Sequence, residues 1–111
     1  MLIVMSDLHL AESKSLGLGS VQFNHNLPAA VYREYFREIA ESLDDGFVPK
    51  IDLALAGDIF ELTRSALWLN TDLRPYWHLK DIAEGSPQEE MILTVLSAIA
   101  EDERVQETLE I

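Results

Sequence analysis

A chain of 111 residues, 48% of them hydrophobic, is long enough for one folded domain and too apolar for a disordered chain. Eight Lys and Arg against 20 Asp and Glu leave a net charge of −12. This argues against a nucleic-acid-binding patch, which needs clustered basic residues, but not against phosphate substrates, since a bound cation can supply positive charge. For most of the Glu residues the acidity reads as solubility alone. There is no Cys, so any metal must be held by carboxylate, imidazole, amide or carbonyl groups.

Residues 2–5 form a short, wholly apolar run, expected to be a buried strand of a parallel sheet. The run is too short for a signal peptide and lacks a basic flank, and no stretch approaches a membrane span, so a cytoplasmic location is expected. Residues 6–27 show no period and read as a long loop of the kind that often carries function. Asn26 is expected to cap a helix beginning near Leu27-Pro28. Tyr32, Tyr35, Phe36, Ile39 and Leu43 then recur at helical spacing, with Arg33, Glu34, Arg37, Glu38 and Glu41 largely opposite them. Asp44-Asp45-Gly46 should stop that helix.

Residues 51–56 read as a second strand, so strand, helix and strand compose a βαβ unit with parallel strands. Residues 59–85 are mixed and read as short helices and loops around Trp68 and Trp77. Ser86-Pro87-Gln88-Glu89 is a helix start with a capping box. Ile92, Val95, Leu96 and Ile99 make its apolar stripe, Glu101-Asp102-Glu103 interrupts the stripe, and Val105 and Leu109 resume it in what reads as one helix continuing to Ile111. Tyr35, Phe36, Ile39, Ile92, Val95, Leu96 and Ile99 are expected to face the sheet. Two strands and about three helices are too few for a complete α/β domain, so residues 1–111 read as the N-terminal part of a single domain, truncated at its C-terminus.

Asp7 and His9 directly follow the first strand, and residues two apart in extended chain point to one side, where a carboxylate and an imidazole can share a cation. Asp58 follows the second strand, and Gly57 lets the backbone pass close to its neighbours. Ligands of open α/β sheets bind beyond the carboxyl ends of the strands, so parallel neighbouring strands would bring the three groups together. Their mixed oxygen and nitrogen donors suit manganese, iron or zinc. Taken alone, Asp-x-His also reads as a capping Asp before a surface His, and Gly-Asp as ordinary turn chemistry. Of the other two histidines, His25 reads as part of the loop or a helix cap, and His78, between Trp77 and Leu79, as a partly buried structural residue.

Ser6-Asp7-Leu8-His9-Leu10, followed by Leu55-Ala56-Gly57-Asp58-Ile59-Phe60-Glu61-Leu62, resembles the opening of a calcineurin-like metallophosphoesterase. The resemblance covers residues 1–62. It implies the N-terminal βαβ portion of that α/β sandwich and hydrolysis of a phosphomonoester, phosphodiester or pyrophosphate substrate at two divalent metal ions in the complete protein. It makes Asp7 and His9 ligands of the first metal and Asp58 the bridge between the two. Glu61 stands where the family often has Asp. The family's later Gly-Asn-His and Gly-His-x-His motifs do not occur, so this chain alone should be an inefficient catalyst, and its exposed sheet edge should drive self-association. Two other readings differ in class. One is a non-enzymatic binding module or inactive remnant completed by a partner. The other is a phosphoacceptor domain using Asp7 or Asp58, which gives His9 no role.

Overall fold

The computed structural model describes residues 2–12, 17–18, 21–22, 26–42 and 52–111. Strand β1 (Leu2–Ser6) is followed by two-residue strands β2 (Gly17–Leu18) and β3 (Val21–Gln22), helix α1 (Ala29–Ser42) and strand β4 (Asp52–Ala56). Two 3-10 turns (Ala66–Asn70 and Leu79–Asp81) lead to helices α2 (Pro87–Ala100) and α3 (Glu103–Leu109). The described residues are therefore mixed α/β, with three α-helices and a two-stranded parallel sheet. None of their helices is long and apolar enough to cross a membrane.

The βαβ expectation holds in its central feature. β1 pairs in parallel with β4, Leu2 opposite Asp52 through Ser6 opposite Ala56. The expected long loop is not featureless, because β2 and β3 within it form an antiparallel ladder, Gly17 opposite Gln22 and Leu18 opposite Val21. His25 and the Asp44-Asp45-Gly46 stop lie outside the described residues.

The core does not lie over the strands: β1, expected to be a buried strand, alternates exposed and half-buried residues, because Leu2 and Val4 face away from the described helices. Leu10, Trp68, Val95, Ile99 and Val105 form the buried cluster, with Leu8, Ile59 and Leu62 packed against it. Leu8, Leu10, Ile59 and Leu62 belong to the segments that leave the carboxyl ends of β1 and β4. The stripe of α2 thus covers the end of the sheet, where Val95 and Ile99 were expected to face the strands themselves. α1 faces the sheet across an apolar groove: Tyr32 and Phe36 line it together with Met5, Leu53, Leu55, Leu109 and Ile111. Tyr35, expected on that line, is 51% exposed. It is off the i, i+4 row of Tyr32 and Phe36, which is the row that lines the groove.

The helix ends follow local chemistry. Ser86 Oγ caps α2 by accepting the Glu89 N–H at 3.2 Å, with Pro87 in the first turn. Glu89 Oε2 accepts the Gly85 N–H at 2.6 Å, one residue before the expected capping-box partner. The helix expected to run on from α2 is broken at Asp102, whose backbone is extended (φ −68°, ψ 127°). Asp102 Oδ1 accepts the N–H groups of Arg104 at 3.1 Å and Val105 at 3.3 Å, a new N-cap. The break turns α3 so that Val105 enters the core, which a straight continuation of the α2 stripe would not require.

Asn26, expected to cap α1, lies three residues before Ala29, where that helix begins, and its side chain joins other segments. Its Oδ1 accepts the Ala11 N–H at 3.0 Å, and its Nδ2 donates to Ala11 O at 2.5 Å and to Asp102 Oδ1 at 3.3 Å. Arg104 Nη1 donates to Asn26 O at 3.1 Å. One buried amide therefore ties the segment after β1 to the start of α3.

Candidate metal centre

The site is made where β1 and β4 stop. Pairing lapses after Ser6 and Ala56 and resumes at the parallel bridge between Leu10 and Phe60. His9 N–H donates to Asp58 O at 2.9 Å, Leu10 N–H to Ile59 O at 2.8 Å, and Glu61 N–H to Leu10 O at 2.8 Å. The two exit segments are thus locked side by side, and a main-chain hydrogen bond joins two of the three candidate ligands. Farther out, Ser65 Oγ donates to Glu12 Oε1 at 2.8 Å, a buried tie between the same segments that nothing in the residue pattern announced.

Asp7, His9 and Asp58 are brought together as expected: one ligand atom from each lies within 4.8 Å of the others, and all three residues are exposed. The geometry that does this differs from the expectation. Asp7 and His9 are not extended but left-handed, with φ of 57° and 47°. Asp and His are among the few residues that enter this region at modest cost, and such conformations concentrate at functional sites. Gly57 is left-handed too (φ 73°), and a Cβ there would lie 3.4 Å from Asp7 Oδ1. The close approach inferred for Gly57 is therefore real, and the neighbour it accommodates is a candidate ligand.

The donor set fits a divalent cation. Oxygen and imidazole ligands bind zinc at about 2.0–2.2 Å, so two ligands on one ion are at most about 4.4 Å apart. The observed spread of up to 4.8 Å closes to that with a small rotation of solvent-facing side chains. Two carboxylates and one imidazole also match the preferences of manganese and iron.

Glu61 completes the surroundings. It is only 8% exposed, and its Oε2 lies 3.2 Å from His9 Nδ1 and 3.5 Å from Arg64 Nε. Its Oε1 accepts the Thr63 hydroxyl at 2.7 Å and the Thr63 N–H at 3.2 Å. Burial alone would raise the Glu61 carboxyl. The Thr63 hydrogen bonds, with Arg64 and His9, outweigh that and hold it below the ordinary carboxylate value. Residue type alone marked Glu61 as a departure from the family pattern. Its contact with His9 depends on the register of β1 and β4, which no local motif reveals.

A cavity of about 310 Å³ opens beside the cluster, lined by His9, Asp58, Glu61, Arg64, Phe60 and Trp77 among others. Trp77 stacks on Trp68, whose indole N–H donates to Leu62 O at 2.7 Å. His78, expected to be partly buried, is exposed; its backbone N–H donates to Asp81 Oδ2 at 3.1 Å at the start of a 3-10 turn, and it is not among the residues that line the cavity. Compared with known proteins, the chain matches no family model, no curated protein and no solved structure.

Proposed function

We propose that Asp7, His9 and Asp58 are the first half of a dinuclear metal centre that hydrolyses phosphoesters, of the calcineurin-like kind. The observation that carries this reading is the meeting of these three side chains at the carboxyl ends of two parallel strands. When bound, divalent cations supply an activated water and neutralise the phosphoryl oxygens. Asp7 and His9 would hold the first ion, and the Asp58 carboxylate, with two oxygens, can serve both. The cavity beside His9 and Asp58 offers room for the phosphoester, with the Arg64 guanidinium at its wall to attract an anion. Residues 1–111 carry no Gly-Asn-His and no Gly-His-x-His, so the second ion and the acid for the leaving group need ligands from elsewhere.

A binding module that has the same strands but no chemistry is the second reading. It is favoured by the open sheet, where Leu2 and Val4 are 64% and 61% exposed and invite a partner or a second copy. Calorimetric titration of residues 1–111 with Mn²⁺ separates the two. We expect one cation per chain and a loss in Asp58→Asn larger than the ~10–100-fold typical of an outer-shell change. Absence of binding, or binding unaffected by Asp58→Asn, would remove the metal centre and leave the binding module. On generic phosphodiesters, the chain alone is expected to show no efficient manganese-dependent turnover.

A further inference from the structure

We infer that Glu61 is a positioning residue that holds His9 in the tautomer protonated on Nδ1, so that Nε2 is the nitrogen offered to a cation. The second clause rests on the metal-centre reading, whereas the tautomer is a property of the metal-free chain.

The geometry leaves the Glu61 carboxylate little freedom. Its main chain is pinned by the bond from Glu61 N–H to Leu10 O, and its Oε1 is held twice by Thr63. The side chain is 10% exposed, so the Oε2 that faces His9 Nδ1 at 3.2 Å cannot swing freely into water. An ionised carboxylate only accepts hydrogen bonds, so at 3.2 Å it favours the tautomer that carries the proton on the nitrogen it faces. A neutral imidazole has one N–H, and the lone pair is then on Nε2. Carboxylate, imidazole and metal in series is how proteins commonly set the orientation and basicity of a ligating His. Arg64 Nε, 3.5 Å from the same oxygen, supports the carboxylate from the solvent side.

Nitrogen-15 NMR of the His9 ring in the metal-free chain at pH 8 tests the first clause directly. We expect a protonated Nδ1 and an unprotonated Nε2 in the native chain. In Glu61→Ala the ring should revert toward the Nε2–H form that free histidine favours, and Glu61→Gln should lie between. A native His9 already in the Nε2–H form overturns the inference whatever the variants do, so it stays testable if Glu61→Ala fails to fold. Adding Zn²⁺ tests the second clause. The shift should appear at Nε2, with affinity about 10–100-fold weaker in Glu61→Ala. Zinc at Nδ1 would overturn the inference. No zinc binding by a chain with the Nδ1–H tautomer would overturn the metal-centre reading instead, and the tautomer result would still stand.

Discussion

The two ends of the same pair of strands are built differently. Along the strands the apolar residues remain open: Leu2 and Val4 look outward, and Leu53 and Leu55 are also exposed. Beyond their carboxyl ends, Leu10 is fully buried, and hydrogen bonds from the main chain, Asn26 and Ser65 lace the exit segments to each other and to α3. The candidate ligands therefore stand on the better-packed part of the molecule. Site geometry needs a rigid support close by, and burial of the exit segments supplies it even where Leu2 and Val4 on the strands above are exposed.

This contrast can be broken by mutation. The largest effects should come from Leu10→Ala and Ile99→Ala, which remove fully buried side chains; about 2–5 kcal/mol is expected for each, read by thermal or urea unfolding. Val4→Thr on the open face should stay within about 0.5 kcal/mol. Equal losses at Val4 and Leu10 would mean that the strands are covered after all. Ile39→Ala and Leu96→Ala should cost less than Leu10→Ala, since both residues are only partly buried.

Asn26→Ala comes next. It strips partners from Ala11 N–H and C=O and from Asp102, and unpaired buried polar groups cost about 1–3 kcal/mol. A stability equal to that of the native protein would show that the exit segment does not depend on this tie. Gly57→Ala should cost about 1–2 kcal/mol through its left-handed backbone. The strained backbone beside Asp7, whose Oδ1 would lie 3.4 Å from the new methyl, should shift the carboxylate, so Mn²⁺ affinity should fall as well. Unchanged affinity would separate Gly57 from the site. The smallest effect is expected from Arg37→Ala. Its ion pairs with Glu34 and Glu41 on α1 are fully solvent-screened, and no resolvable change in Tm should follow.

Much of the backbone plan is legible residue by residue. An uninterrupted apolar run before Ser6-Asp7 marks a strand because both of its faces are apolar, and Ser86-Pro87 marks a helix start because cap chemistry is local. The three candidate ligands are legible for the same kind of reason: each follows a strand end directly. The break at Asp102 was visible only as an interruption of the stripe. An Asp there is compatible with a solvated turn of a continuing helix, and what decides for a cap is the burial gained when Val105 reaches Leu10 and Trp68.

The sequence by itself determined the strand–helix–strand order of β1, α1 and β4, the parallel pairing of the two strands and the choice of Asp7, His9 and Asp58 as candidate ligands, because these follow from patterning and from side-chain chemistry within a few residues. Only the tertiary structure decided how they converge and what surrounds them. Left-handed turns at Asp7 and His9 do what extended alternation was expected to do, since pairing must lapse there before it resumes at Leu10 and Phe60. The contacts of Glu61 with His9, of Ser65 with Glu12 and of Asn26 with Asp102 join residues far apart in the chain, and such pairs are set by register and packing, which no single segment contains.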